Sequence, residues 1–504
     1  MAGTWVESRL ICLKESWREE IMIDAQVAYS ALTSRDGRFD GVFYVGVIST
    51  GIYCRPVCPV KAPLAKNCLF FDSAAAAEKA HFRPCLRCRP ELAPGNAPVD
   101  SSRRIADSLL EYIADGVLEE NASLETLAAR FSLSLRQLRR IVHKELGVSP
   151  LELKQTRRLL LAKQLLTETT LSVIDIALAS GFNSLRRFND EFNKRYRMPP
   201  SRLRKQDLVS GRRETSTLQL HYRPPFDWEA LLNFLRQRTL KGVEAVDSVS
   251  YARTVRLGEH TGWIRVTKSE DSLQVEFTHS LTPVLSALIR RLRNLFDLDA
   301  HPAAIADRLG QHPLLGPSLQ KNPGLRVPGA FDIFEMSVRA VLGQQVTVKA
   351  ATTLSGRFAG AFGEAFATPF PELTHLSPEA SAVALSTPEE IAGLGIVRAR
   401  ASTLLTLADA STRGELVGSA AQPEEMIARL TALPGIGDWT AHYIALRALR
   451  WPDAFPAADI VIRKNLGGVT AREAEQMAEA WRPWRSYAVM HIWQNLTPVK
   501  LAKR

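Results

Sequence analysis

Two groups of residues in this sequence could do chemistry. The first lies near the N-terminus. Cys54 and Cys58 are separated by three residues in TGIYCRPVCP, and Cys85 and Cys88 by two in HFRPCLRCRP. Two close thiol pairs form the soft tetrahedral donor set that zinc takes. On spacing alone, a purely structural zinc knuckle is the simpler reading. Arg55, Arg83, Arg87 and Arg89 crowd the thiols, and cationic surroundings favour thiolate and attract phosphate. A second reading therefore stays open, in which one zinc-bound thiolate is a nucleophile. All six cysteines precede residue 89, so the C-terminal half cannot hold a cysteine-ligated iron-sulfur cluster. Cys68, in NCLFF, reads as a small buried hydrophobe, and Cys12 lies outside the motif.

The second group runs from Leu433 to Lys464. Gly435 and Gly437 flank Ile436, between one helical period (Met426, Ile427, Leu430, Leu433) and another (Trp439, Tyr443, Ile444, Leu446, Leu449). This predicts helix, tight glycine hairpin, helix. The second helix would point its first N-H groups out of the hairpin, an arrangement suited to phosphate. Twenty residues past Trp439, a lone carboxylate, Asp459, interrupts the apolar segment FPAADIVI. A buried helical corner with a capping Asp is the plainer alternative.

The elements that must position these groups follow from composition and period. At 504 residues the chain is long enough for three or four domains. A hydrophobic content of 46% supports large cores, and the net charge of +11 favours an anionic partner. No apolar run of 18 residues exists and the N-terminus is too charged for a secretory signal, so we expect a cytoplasmic, nucleoid-associated protein without a membrane partner. The expected organisation is an extension at 1–23, with Met22 a candidate start, then a small domain at 24–93, a helical domain at 101–206, an α+β subdomain at 217–300 and an all-helical domain at 301–504. PGNAPVD (94–100) and LVSGRRET (208–215) read as linkers.

Strand alternation is visible at 42–47, 217–222, 249–257, 262–267 and 273–278, with a helix at 229–239. In the helical domain, Ser123 and Ser134 each open a helix, and the second carries Arg136, Arg139, Arg140 and Lys144. After a long helix at 151–166, Ser172 opens another unit, Gly181 turns it, and Asn183-Ser184-Leu185-Arg186-Arg187-Phe188 begins its second helix. Two such units are two helix-turn-helix motifs, with Arg136, Arg139, Asn183 and Arg187 as base-reading candidates by position alone. A helical bundle with a basic solvated face is the alternative.

Three resemblances sharpen this reading. The cysteine motifs resemble the N-terminal domain of the Ada-like adaptive-response proteins, with TGI-aromatic-CRP-x-C and FRPC-x-RC, over roughly residues 24–92. That resemblance implies that Cys54, Cys58, Cys85 and Cys88 bind Zn2+, and that Cys54 accepts a methyl group from a methyl phosphotriester in DNA. Methylating one thiolate removes a negative charge facing DNA and so raises affinity. The paired units resemble the AraC-type DNA-binding domain, with Arg197 where that pattern's final glycine is usual.

The hairpin and Asp459 resemble the helix-hairpin-helix DNA glycosylase superfamily. Together with YRPPFDW, DSVSYART, RVPGAFDIFEMSVRAVLGQQV and WRPWRSYAVMHIW, the stretch 217–504 resembles AlkA-like 3-methyladenine DNA glycosylases II. This resemblance implies that Asp459 is the catalytic carboxylate, that Trp439, Tyr443 and Trp493 line the base pocket, and that Gln345 stands where relatives place an apolar wedge. Gln494 stands where an aromatic can occur. It also implies a monovalent cation held by the carbonyls of Thr431, Leu433 and Ile436. Bifunctional relatives start the helix after the hairpin with a lysine nucleophile; Asp438 and Trp439 stand here, so the expected product is an abasic site without strand cutting. Trp481 and Trp484 read as core.

The expected fold class is thus multidomain α+β: a small zinc-bound α/β domain, an all-α double helix-turn-helix domain, and an α+β subdomain followed by an all-α helix-hairpin-helix glycosylase domain. The expected function joins repair of alkylated DNA to its regulation, with double-stranded DNA and RNA polymerase as partners. The alternative is a DNA-binding regulator whose glycosylase half only docks on DNA. No PCHR motif is present, so direct guanine repair is not expected.

Overall fold

The computed structural model describes residues 25–90 apart from 36–38, 41–42 and 72, then 102, 105–106 and 109–110, residues 124–204 apart from 132, and residues 214–416 and 423–494. The expected extension with Met22 and Cys12, the linker 94–100, Ser123, and the linker residues 208–213 lie outside these. The chain divides into two compact units, one holding the described residues up to 110 together with 124–150, the other those from 151 onward. The region expected to form one helical domain, 101–206, is shared between them.

In the first unit, α1 (Ala25–Ser34) precedes β1 (Tyr44–Val47), β2 (Ile52–Cys54), β3 (Cys68–Phe71), α2 (Ala74–Lys79) and β4 (Arg83–Pro84). The sheet order is β3-β1-β2-β4, antiparallel except for the β2–β4 pair. Its apolar clusters are small: Ala28, Leu32, Phe43, Val45 and Phe70 on one side, Tyr53, Phe71 and Ala77 on the other. Cys68 is buried in the first of these, as its composition predicts. A first helix-turn-helix follows, with α3 (Leu124–Arg130) and α4 (Leu135–Leu146). Ser134 and Gln137 form a reciprocal capping box at the start of α4, and Gly147 ends it in the left-handed region.

The second unit begins with α5 (Pro150–Glu168), whose first residue belongs to the other unit by its contacts, then α6 (Val173–Ala179) and α7 (Leu185–Tyr196). Ser172 and Ser184 cap α6 and α7. Phe188 and Phe192, one turn apart on α7, are fully buried, each contributing about 1.5–3 kcal/mol. At the end of α7, Arg197 itself adopts the left-handed conformation (φ 56°) that a glycine would take at less cost.

Next come β5 (Thr215–His221), α8 (Trp228–Arg236), β6 (Glu244–Val246), β7 (Ser250–Leu257), β8 (His260–Lys268) and β9 (Ser272–Thr278), an antiparallel sheet of order β5-β9-β8-β7-β6. The short β6 has no alternation to announce it. The remainder is helical: α9 (Leu285–Leu295), α10 (Pro302–Leu309), α11 (Gly316–Lys321), α12 (Ile333–Leu342), α13 (Val348–Phe362), α14 (Ala380–Ala384), α15 (Pro388–Ala392), α16 (Arg398–Thr412), α17 (Pro423–Thr431), α18 (Asp438–Arg447), α19 (Ile460–Asn465), α20 (Ala471–Ala478) and α21 (Arg485–Trp493). Trp481 is fully buried and Trp484 packs against the same core. No helix among the described residues is long and apolar enough to cross a membrane.

Buried charge joins sheet to helices. Arg253 on β7 reaches Glu335 on α12 at 2.7 Å, and Arg339 on α12 reaches Glu244 on β6 at 3.1 Å. Tyr251 donates its hydroxyl to Glu244 at 2.7 Å. Asp297, just after α9, accepts from Tyr487 of α21 at 2.8 Å. Burial pushes the Asp297 carboxyl up to about 6 from the usual 3.8, although Tyr487 and nearby arginines oppose the shift. The folded state therefore binds this proton more tightly than the unfolded chain. Its contribution to stability is present below the ordinary carboxylate range and is lost as pH rises through about 6, a difference of about 3 kcal/mol. Asp297→Asn should remove that loss: urea midpoints of variant and wild type should diverge in the variant's favour between pH 4 and 7, and a constant difference would contradict it.

Candidate nucleic-acid excision site and thiolate centre

The hairpin forms as its sequence predicts. α17 ends at Thr431, α18 begins at Asp438, and Gly435 between them has φ 86°. A Cβ on Gly435 would meet the Thr403 hydroxyl at 1.9 Å, so this position requires glycine for space as well as conformation. Gly437 differs. Its backbone is extended (φ −89°, ψ 174°), and a Cβ added there would meet nothing within 4 Å. No side chain caps α18, so its first N-H groups face outward beside Gly437. Asp438, 71% exposed at this end, reaches His442 at 3.5 Å. The two glycines therefore make separable predictions. Gly435→Ala should destabilise the fold by about 1–3 kcal/mol. Gly437→Ala should leave the thermal midpoint unchanged but weaken duplex binding several-fold, measured by anisotropy; unchanged affinity would count against a phosphate at this hairpin.

The loop between α12 and α13 faces the hairpin. Gln345 is exposed and holds a left-handed backbone (φ 52°), an uncommon conformation for a side chain with a Cβ. Its neighbour Gln344 donates to Gly435 O at 3.0 Å and to Thr440 Oγ1 at 3.0 Å, while Arg400 donates to Gln344 O. Gln344 thus ties the Gln345 loop to the hairpin, a role that sequence reasoning missed; the only signal was the doubled glutamine.

Asp459 caps α19, accepting at Oδ1 from the N-H groups of Val461 and Ile462, both at 3.0 Å. A capping role explains those two bonds. It does not explain two more: Trp439 Nε1 donates to Oδ2 at 3.0 Å and Trp493 Nε1 to Oδ1 at 3.3 Å. Two indoles from distant helices converge on one half-buried carboxylate. Trp439 and Tyr443 stack with centroids 5.4 Å apart and planes 8° from parallel, and Tyr443 lies 6.1 Å from Trp493. The structure thus brings Asp459, Trp439, Tyr443 and Trp493 together.

The wall behind them comes from residues the sequence did not single out. Phe234 of α8 stacks on Trp493 at 6.3 Å, and the guanidinium of Arg238 lies 3.8 Å above Phe234. Arg447 donates to the Tyr443 hydroxyl at 2.9 Å. Burial raises the Tyr443 phenol, but Arg447, Arg238 and Arg339 outweigh it and hold it below its ordinary value. Phe234, Arg238, Trp493 and Gln494 also border an open cleft of about 560 Å³.

In the first unit, the parallel β2–β4 pairing sets the two thiol pairs side by side. The sulfurs of Cys54, Cys58, Cys85 and Cys88 lie within 4.8 Å of one another and all four residues are buried. Tetrahedral zinc with bonds of about 2.3 Å needs sulfurs about 3.8 Å apart, so the set fits the ion with small adjustments. Hydrogen bonding between the two sulfurs lowers the Cys58 thiol, and the same contact raises Cys54. Arg55 departs from expectation. It is 1% exposed, its guanidinium pairs with Asp40, and its N-H points at Cys88 Sγ at 3.4 Å. It braces the cluster from behind; the exposed arginines are Arg83, Arg87 and Arg89. On the helix-turn-helix units, Arg136, Arg139 and Arg140 of α4, and Asn183 and Arg187 at the start of α7, are all exposed.

These parts define a class: a multidomain α+β chain with a four-cysteine zinc domain, helix-turn-helix units and a helix-hairpin-helix glycosylase fold. The metal binding domain of Ada matches residues 27–91, a helix-turn-helix domain residues 127–206, and the AlkA N-terminal domain residues 217–332. A probable bifunctional transcriptional activator/DNA repair enzyme AlkA of Mycobacterium tuberculosis (strain ATCC 25618 / H37Rv) is 37% identical over 483 residues, covering 94% of this chain and 97% of that protein. DNA-3-methyladenine glycosylase 2 of Escherichia coli (strain K12) is 36% identical over 277 residues, 54% of this chain and 95% of its own length. The bifunctional transcriptional activator/DNA repair enzyme AdaA of Bacillus subtilis (strain 168) is 32% identical over 195 residues, 38% of this chain and 90% of its own. The chain belongs to the family of AlkA-type bifunctional transcriptional activator/DNA repair enzymes.

Proposed function

We propose that the second unit hydrolyses the N-glycosidic bond of alkylated bases of the 3-methyladenine type in double-stranded DNA, with Asp459 as its catalytic carboxylate. The observation that carries this reading is the pair of indole N-H groups converging on Asp459. They fix the carboxylate's orientation while the aromatic faces of Trp439, Tyr443 and Trp493 stand beside it. Alkylation at a ring nitrogen makes a purine cationic and a better leaving group, and electron-rich rings favour such a base by stacking. As the bond breaks, positive charge develops on the sugar. Asp459 stabilises that charge and orients the attacking water. Gln345 fills the space the base vacates, and Gly435, Ile436 and Gly437 grip the backbone. The helix after the hairpin offers Trp439 where a lyase would offer lysine, so the product is an abasic site. A monovalent cation would be held by the carbonyls of Thr431, Leu433 and Ile436; of these, Leu433 O already accepts from Ile436 at 3.1 Å.

In the first unit, Cys54 is the methyl acceptor. Zinc held by Cys54, Cys58, Cys85 and Cys88 would keep the sulfurs as thiolates. The Cys54 sulfur attacks the methyl carbon of a phosphotriester; the S–C bond forms, the C–O bond breaks, and the phosphate leaves as a diester anion. The lost thiolate charge reduces repulsion of the DNA backbone. The chain then activates transcription from sites read by Arg136, Arg139, Arg140, Asn183 and Arg187, with RNA polymerase as partner. Incubation of the full chain with a methylated duplex tests the excision reading: abasic sites should accumulate, detected by an aldehyde-reactive probe, and their absence would overturn it.

A further inference from the structure

The second helix-turn-helix unit does not stand apart from the glycosylase fold. One continuous apolar core runs from Leu165 on α5, Ile176 on α6 and Phe188 on α7 to Leu218 on β5, Phe277 on β9 and Leu281. α6 packs on the short turn His279–Val284 that follows β9. Thr169, at the end of α5, forms an antiparallel bridge with Leu218 on β5, the edge strand of the sheet. An open edge strand is a liability that proteins cover, and here the residue after α5 pairs with it at Leu218. Charge follows the same seam. Burial raises the Glu168 carboxyl on α5, and His221 on β5 and Arg293 on α9 act on it in the opposite sense. This docking leaves Asn183, Arg186 and Arg187 exposed. α6 has seven residues, too few to persist without tertiary support. The first reader, α3 and α4, belongs to the other compact unit.

We propose that the glycosylase half has a second, non-catalytic function: it is the structural platform of the second DNA reader. α7 and the excision pocket then belong to one cooperatively folded body, and α4 to another. The inference rests on α7 being a DNA-reading helix, and it does not require Asp459 to be catalytic.

Native-state hydrogen exchange on the full chain tests it. The amides of α6 and α7 should open together with those of β5 and β9, with one shared denaturant dependence, and α3 and α4 should open in a different step. If α6 and α7 opened with α3 and α4, or alone at lower denaturant, the proposal would fail. Leu281→Ala removes packing beneath α6, away from the excision pocket. It should speed exchange in α6 and α7 by about tenfold or more while leaving α3 and α4 unchanged; unaltered exchange in α6 and α7 would overturn the proposal. Should that variant not fold, Glu168→Lys sets a cation against His221 and Arg293 from the reader's side. The same acceleration is expected, and the same lack of effect would refute it.

Discussion

Replacing Asp459 by asparagine is expected to cut single-turnover base release by about three orders of magnitude while leaving duplex affinity nearly unchanged. A carboxylate about 4 Å from a developing positive charge, at an effective dielectric near 20, contributes about 4 kcal/mol, or roughly a thousandfold in rate. Asparagine is itself a good cap, so Oδ1 still accepts from Val461 and Ile462 and α19 survives. Its amide nitrogen cannot accept from Trp439 Nε1, so one of the two indoles loses its partner. On the proposed reading, ground-state binding rests on stacking and the hairpin, which the substitution leaves alone. The expected signature is therefore a fall in the chemical step with a small change in melting temperature. A loss below tenfold would mean that Asp459 is a cap and little more.

The second large effect concerns zinc. Chelation, or Cys88→Ala, should unfold the sheet β1–β4 while leaving the glycosylase fold intact. The apolar clusters around that sheet hold few large side chains, and a domain of this size seldom supplies enough burial to stand alone. Structural zinc adds an apparent 10–16 kcal/mol in comparable small sites, at about neutral pH, which exceeds the stability of the domain itself. Cys88 is fully buried and its sulfur meets the Arg55 N-H, so no other residue replaces it. Loss of the ion also strands the buried Arg55–Asp40 pair in a disordered setting. Circular dichroism during titration with a chelator should show one early transition followed by the unaltered unfolding of the second unit. A chelated chain with native exchange protection in β1–β3 would contradict this expectation.

Much of this arrangement was legible in the residues. The alternating strands β5, β7, β8 and β9, the serine caps of α4, α6 and α7, and the glycine hairpin each have a local cause, and each lies where that cause predicts. The thiol cluster was legible because metal-ligand spacing is itself local. What was not legible depends on contacts between distant segments. Phe234 sits on an ordinary amphipathic helix and Arg238 in the turn just after it, and only the packing of α8 against Trp493 makes them a pocket wall. Gln344 reads as the twin of Gln345 until the hairpin carbonyl of Gly435 arrives beside it. Arg55 sits among cationic neighbours in sequence, but its burial against Asp40 assigns it a different task. The sharing of the helix-turn-helix region between two units is likewise tertiary, since Gly147 and Pro150 mark only a turn between helices and not a division between units.

The proposed repair function rests on one step, removal of an alkylated base by the Asp459 pocket without cutting the strand. The direct measurement is a single-turnover reaction of the full chain with a methylated duplex, in which free base and strand breaks are counted in the same sample before and after alkali. The prediction is stoichiometric release of free alkylated base, an intact strand before alkali, breaks only after it, and almost none of either with Asp459→Asn. Breaks that precede alkali treatment, or equal release by wild type and variant, would contradict it.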